Sequence, residues 1–280
     1  MSKFERGISD KVFIATLTKE FATPTSLWHN IAHDKELFIA IRNKSLNVYH
    51  KGNSVCKLEY KSGNIVGETH YKFLLDPDLE EYVKSKNGIF TYSNLGGRFI
   101  QSLADIGKIK KASNVYAGIE KSGVHTKVRK TANVVDVEIA FSDIIKKKDR
   151  IDYAVLEERK GSIFLVFWEA KHFSNPEIRA KGVPKVLAQL SNYETAIAIH
   201  KTEIINSYRI VCENLRDLGL IHGRNLVLNV ANGAPLDVDP KPRLFIFGYD
   251  SDQEIGKVWN IHKKTLKTAL GDRLKTIGNV

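Results

Sequence analysis

Residues 163 to 168, Ile-Phe-Leu-Val-Phe-Trp, form an unbroken apolar run, and Glu169, Ala170 and Lys171 follow it with no turn signal. A run apolar on both faces predicts a strand buried inside a sheet. Strand residues two apart share a face, so Glu169 and Lys171 share one with Phe167, Leu165 and Ile163. A buried strand thus ends in a carboxylate and an ammonium side by side.

The pattern around this run predicts an α/β layered domain. Residues 98–119 place apolar side chains three and four apart, from Phe99 to Ile119, as in an amphipathic helix entered through the Gly96-Gly97 loop. Strands are predicted at 133–141 and 150–156, with the Gly161 turn leading into the opening run. Pro184 suits a first helical turn, and a helical period continues to Leu218, as one helix or two, before Gly219 stops it. The apolar runs 225–231 and 243–249 predict strands separated by a loop, and a basic amphipathic helix over 252–274 closes the chain. Long apolar runs with helices between them indicate a mixed sheet flanked by helices.

The first 95 residues read differently. Residues 36–60 are short alternating runs broken by Asn-Lys-Ser and Lys-Gly-Asn, the signature of an antiparallel meander, and 68–75 adds a strand. The predicted organisation is a β-rich region over 1–95 and a second domain over 96–280.

Composition adds a partner class. The 280 residues carry a formal net charge of +11, and basic surfaces attract polyanions. Two cysteines, Cys56 and Cys212, allow neither a disulfide framework nor a four-thiolate metal site. The first residues carry charges throughout and no run approaches ~20 apolar residues, so a cytoplasmic protein without a membrane span is expected.

The candidate chemistry gathers around the opening run. Asp152 lies one strand upstream, and the midpoint of 152 and 169 is 160.5, on the Lys160-Gly161 turn. A hairpin there brings Asp152 and Glu169 to the same end. Converging carboxylates are hard ligands suited to Mg²⁺ or Mn²⁺, which fill their shells with water and phosphate oxygens. Such a site beside a lysine fits phosphodiester hydrolysis.

Asp152 within Arg-Ile-Asp, followed by Phe-Trp-Glu169-Ala170-Lys171, resembles the PD-(D/E)xK nuclease superfamily. The resemblance covers residues 98 to about 230, and Ile151 stands where many members have proline. It implies a restriction-endonuclease-like fold and a metal-dependent nuclease, with DNA as the foremost substrate, in defence against foreign DNA or in repair. It implies Asp152 and Glu169 as metal ligands, with the Ala170 carbonyl as an extra one, and Lys171 as the catalytic cation. It also implies an acid on the first helix, for which Glu120 is the candidate and Glu138 the alternative. Gln189 and Tyr193 match the Q-x-x-x-Y motif of RecB-type members; residues i and i+4 share a helix face, and Tyr193 reads equally as core. A homodimer suits cutting of both strands. The rival reading is a nucleic-acid-binding module of a larger complex that keeps this fold and does not cut.

Other features are weaker. Asp136 and Glu138 alternate with valines and read as a solvated strand face rather than a second shell of the site. His29 and His33 have a metal-compatible spacing but no third ligand. Lysines 108, 110 and 111 and Lys146 to Lys148 read as solvated faces, the latter set close enough to Asp152 for phosphate contact. No dinucleotide, P-loop or nucleophile-elbow motif is present.

Overall fold

The computed structural model describes residues 4–74, 82–86, 88–90, 100, 102–141, 150–179 and 182–279. The loop expected at Gly96-Gly97 and Lys146 to Lys148 lie outside these residues.

The N-terminal stretch opens with two helices where a β-rich region was expected: α1 (Lys11–Phe21) and α2 (Leu27–His33). Asp10 caps α1 by accepting from the Val12 and Phe13 amides, which satisfies donors a helix start leaves open. Phe13 and Leu17, four apart, supply its buried stripe. The meander expected over 36–60 forms β1 (Phe38–Arg42), β2 (Ser45–His50) and β3 (Asn53–Lys61), and the sheet goes on through β4 (Asn64–His70) and two strands the sequence did not announce, β5 (Tyr82–Lys86) and β6 (Ile89–Phe90). All neighbours pair antiparallel. The strand expected over 68–75 ends at His70, and Tyr71–Phe73 form a 3-10 turn.

The helix expected over 98–119 is instead α3 (Ile106–Asn114), a break, and α4 (Ile119–Lys130). Val115 and Ile119 are 80% and 73% exposed, so the apolar period there does not mark a buried stripe. The rest comprises β7 (Val134–Ile139), β8 (Ile151–Arg159), β9 (Ser162–His172), α5 (Lys185–Ile199), α6 (Lys201–Asp217), α7 (Asn225–Ala231), β10 (Leu236–Val238), β11 (Arg243–Phe247), α8 (Ser251–Ile255), α9 (Lys257–Leu270) and β12 (Leu274–Thr276). The second sheet has the order β12-β11-β9-β8-β7, with β10 also on β9. β7, β8 and β9 are antiparallel, while β10 and β11 join β9 in parallel and β12 joins β11 in parallel.

Three expectations fail in this half. The run 225–231 is helical, because its buried residues Val227, Val230 and Ala231 follow helical spacing and Asn133 Oδ1, 93 positions away, accepts from the Leu226 amide. The loop between 231 and 243 contains β10, and the closing helix splits at Gly256 and gives way to β12.

β9 sits at the centre, so both its faces are buried. Ile163, Leu165 and Phe167 join one apolar cluster, and Val166, Trp168 and Ala170 join the other. The first cluster includes α5 and α6 through Leu190, Tyr193 and Tyr208 and also draws in Phe13, Ile41 and Leu58 from the N-terminal region. The second joins Phe38 and Tyr49 to Val124 and Val128 of α4. Among the described residues no helix is long and apolar enough to cross a membrane.

A polar pocket lies where β2 meets α3 and α4. His50 Nδ1 is 2.6 Å from Ser113 Oγ, and His125 Nε2 is 2.9 Å from the Glu36 carbonyl. Burial, reinforced by the facing His125, pushes the His50 imidazole down to about 4; Glu36 opposes this and Lys110 and Lys51 add to it. His125 is lowered as well, again chiefly by burial. A lowered folded-state pKa means that the unfolded chain binds the extra proton first. Stability should therefore fall as pH drops from about 6.5 towards 4. Melting temperatures at pH 7.5 and 5.5 measure this, and His50→Gln should flatten the dependence; an equal fall in the variant would refute the assignment.

Candidate active site

The β8–β9 hairpin turns at Lys160-Gly161, where both residues have positive φ, 51° and 77°. That is the twist-matched two-residue turn, and it sets the register Tyr153↔Trp168 through Arg159↔Ser162. Asp152 and Glu169 are the next positions along that register, as the midpoint argument expected. The β8–β9 ladder stops at Tyr153 and Trp168 while β9 runs on beside β11 to His172. The Ala170 amide, released from strand pairing with β8, donates to Asp152 Oδ2 at 2.7 Å. The strands part here, and the notch they open holds the acids.

Glu138 completes a row. The β7–β8 pairs Val137↔Tyr153 and Ile139↔Ile151 leave Glu138 opposite Asp152. Glu138 has a φ of 52°, a backbone state rare outside glycine, which breaks the strand's alternation at that residue. Register neighbours across β7, β8 and β9 are thus Glu138, Asp152 and Glu169. A cavity of about 100 Å³ is lined by Glu138, Asp152 and Glu120.

At Asp152 and Glu169 burial outweighs the positive charge nearby. Glu169 is 2% exposed. Its Oε1 meets Lys171 Nζ at 2.8 Å, while its buried Oε2 has no hydrogen-bond partner among the described residues. Burial pushes the Glu169 carboxyl up to about 7 despite Lys171, and Glu120 and Glu177 add to the rise. Asp152 is also held well above the usual carboxylate range, first by burial and then by Glu169; the Ala170 amide and Lys171 oppose this and Glu138 adds to it. Lys171 is shared: Glu177 Oε2 lies 2.8 Å from the same nitrogen. The paired carboxylates outweigh their burial and hold the ammonium above its ordinary value.

Glu177 was missed in the sequence because it sits on the 3-10 turn Pro176–Ile178, beyond the strand. Only the tertiary fold returns it to Lys171, and Pro176 just after Asn175 was the one local hint of a turn there.

The remaining candidates are distributed around this centre. Glu120 lies in the first turn of α4, past the end of the helix expected over 98–119, and its Oε2 accepts from the His172 amide at 2.9 Å and from Asn175 Nδ2 at 2.8 Å. It fastens α4 to the end of β9. Gln189 Nε2 donates to Tyr193 Oη at 2.8 Å. Tyr193 is fully buried and belongs to the cluster containing Leu165 and Phe167, so α5 covers the sheet face that also carries Glu169 and Lys171.

Asp136 corrects the expectation of a solvated face. A register shift between Val134 and Asp136 turns its side chain inward. Its carboxylate is only 1% exposed and pairs with Arg6 and Arg42 while accepting from Tyr208 Oη at 2.9 Å. His29 and His33 stack at 4.0 Å, and their Nδ1 atoms lie 2.7 and 2.9 Å from the carbonyls of Phe21 and His29.

The placement of Glu120 depends on a small residue. A Cβ on Gly123, one turn further along α4, would lie 2.1 Å from Phe247 Cε2. Gly to Ala inside a helix ordinarily stabilises by ~1 kcal/mol. Here the contact reverses the sign, and Gly123→Ala should cost ~1–3 kcal/mol. Urea unfolding decides it: a variant as stable as wild type or more so would show slack between α4 and β11.

Among the described residues no three His, Cys, Asp or Glu side chains gather as a ready metal cluster. The donors at the notch are the carboxylates of Asp152 and Glu169, hard oxygens that suit a cation retaining several waters. The buried Glu169 Oε2, without a hydrogen-bond partner among the described residues, fits such a group. Comparison with known proteins assigns no family: no family model, curated protein or solved structure matches this chain.

Proposed function

We propose that this chain is a metal-dependent nuclease of the restriction-endonuclease-like class, acting on DNA. The observation that carries the reading is the placing of Asp152 and Glu169 one register step beyond the last β8–β9 pair, Tyr153 and Trp168, with Glu169 Oε2 buried and without a hydrogen-bond partner among the described residues. A buried carboxylate oxygen without a partner is costly. A cation supplies what is missing.

Asp152, Glu169 and the Ala170 carbonyl would hold Mg²⁺ or Mn²⁺. When bound, such an ion lowers the pKa of a coordinated water and neutralises charge on a phosphodiester. Lys171 stays cationic at neutral pH, so it orients the attacking water and stabilises developing negative charge rather than acting as a base. Glu177 keeps it aimed by holding a second ammonium hydrogen. Glu120 fixes the end of β9. Gln189 and Tyr193, hydrogen-bonded to each other, brace the helix over the Glu169 face. The +11 charge of the chain suits a polyanionic substrate.

Incubation with single-stranded DNA, duplex DNA and RNA, with Mg²⁺ or Mn²⁺ and with EDTA, tests this. Cutting that EDTA abolishes is the expected result. Binding without cutting under either metal would replace the enzyme by a binding module.

A further inference from the structure

The cavity at the acids continues into a larger one. A space of about 340 Å³ lies between the N-terminal sheet and α4, and it shares Tyr49, Gly52, Lys121 and Glu138 with the cavity lined by Asp152 and Glu120. The adjoining cavities make one trough from Glu120, Glu138 and Asp152 to Glu68 and His70 of β4 and Tyr82 of β5. Its joint is tight: a Cβ on Gly52 would lie 2.7 Å from Lys121 Cβ, so the β2–β3 turn seats directly on α4 and holds Lys121 at the junction.

The cations of the trough differ in how they are paired. Arg150 faces Glu138 at 3.7 Å, and Lys57 faces Glu59 at 2.7 Å and lies opposite Glu68 across the strands. Lys72 and Lys121 form no salt bridge among the described residues. They sit in each other's field, which together with burial holds Lys72 below its ordinary value. Both line the cavity of about 340 Å³, and with no salt bridge among the described residues both are available to an anion there. Its surroundings are aromatic. Lys72 Nζ lies 4.9 Å from the Phe73 ring and 5.0 Å from the Tyr116 ring. Tyr116 and Tyr82 are 44% and 51% exposed, and Asn47 Oδ1 is buried at the trough without a hydrogen-bond partner among the described residues.

We infer that this trough binds one nucleic-acid strand, with a phosphate between Lys72 and Lys121 and unpaired bases against Tyr82 and Tyr116, and leads it to Asp152 and Glu169. A basic groove flanked by exposed rings is the means by which proteins hold single strands, since every base offers a face to stack. The size agrees. Ligand pockets run from ~300 to ~1,000 Å³, so this trough takes a nucleotide or two and excludes the breadth of a duplex. The N-terminal meander is then the substrate-binding wall. Delivery to the acids rests on the nuclease reading; binding does not.

The test is fluorescence anisotropy of a short labelled single-stranded DNA with the full chain in EDTA, where metal-dependent cutting is stopped. The double variant Lys72→Gln, Lys121→Gln is expected to bind at least ~10-fold more weakly, and its log–log salt slope should be shallower by ~1.4, at ~0.7 per lost phosphate contact. Tyr82→Ala should weaken binding ~5-fold with the slope unchanged. Lys72→Arg with Lys121→Arg should retain binding, which separates lost charge from lost fold. The same sequence as a duplex should bind at least ~10-fold more weakly than the strand. Wild-type affinity and slope in the glutamine variant, or a duplex bound as tightly as the strand, overturns the inference. If no metal supports cutting yet binding depends on both lysines, the inference stands and the nuclease reading falls. If cutting persists at wild-type rate in the glutamine variant, the reverse holds.

Discussion

Glu169→Gln is expected to reduce Mg²⁺-dependent cutting by at least ~10²–10³-fold, the loss that follows removal of one group stabilising transition-state charge. Stability should respond in the opposite way. Glu169 is 2% exposed, and the carboxylates of Asp152, Glu120 and Glu177 act on it. The neutral amide removes that repulsion, and Lys171 keeps Glu177 as its partner. Metal-free stability should stay level or rise, since neutralising a poorly compensated buried charge is often favourable. Wild type should gain from the cation by linkage, ~1.4 kcal/mol at tenfold over its dissociation constant, and the variant should not. Melting curves with and without Mg²⁺ or Mn²⁺, beside the cutting assay, report both quantities. A wild-type melting temperature indifferent to either metal would remove the support for a cation at this site, and a fully active variant would remove Glu169 from the mechanism.

Asp136→Ala should produce the largest loss of stability, ~3–5 kcal/mol. Its carboxylate joins the N-terminal arm through Arg6, the first sheet through Arg42, and α6 through Tyr208. The Arg42 guanidinium is enclosed and is held above its ordinary value by Asp136 against the pull of burial. Removing the acid leaves both guanidinium groups without their anion, and stranding a buried charge costs far more than the pair contributes. Folded domains are stable by only ~5–15 kcal/mol, so about a fifth or more of the total is at stake. Urea unfolding gives the number, and the double variant Asp136→Leu, Arg42→Met should recover much of it. A loss under ~1 kcal/mol would mean that water or rearrangement compensates Arg42.

Much of the site's arrangement was legible from local rules. A six-residue apolar run needs burial on both faces, and a side-chain period of two places Glu169 and Lys171 together. A two-residue turn at Lys160-Gly161 leaves one register, which makes Asp152 the neighbour of Glu169. Helical spacing joins Gln189 to Tyr193. Each of these follows from the geometry of one element or of a hairpin closed by two residues.

What failed was governed by contacts between distant segments. Residues 225–231 form an apolar run that reads as a buried strand, yet Asn133 accepts from the Leu226 amide and α6 packs beside them, so they wind into a helix. Asp136 follows the alternation of a solvated strand, yet a bulge turns it inward to arginines 130 and 94 positions away. Glu177 meets Lys171 only because the chain doubles back after β9.

The sequence by itself therefore determined the central strand β9, the helical stretch of α5 and α6, the hairpin register and the charge that predicts a polyanionic partner. The tertiary structure alone decided which acids gather around Lys171, which aspartate is a structural hub, and that the meander walls a trough leading to Asp152. The division has one physical cause. Backbone periodicity and tight turns act within a few residues and leave their mark in spacing. The pairing of buried charges depends on which segments burial of apolar surface brings together, and that energy is non-directional and leaves no local pattern to read.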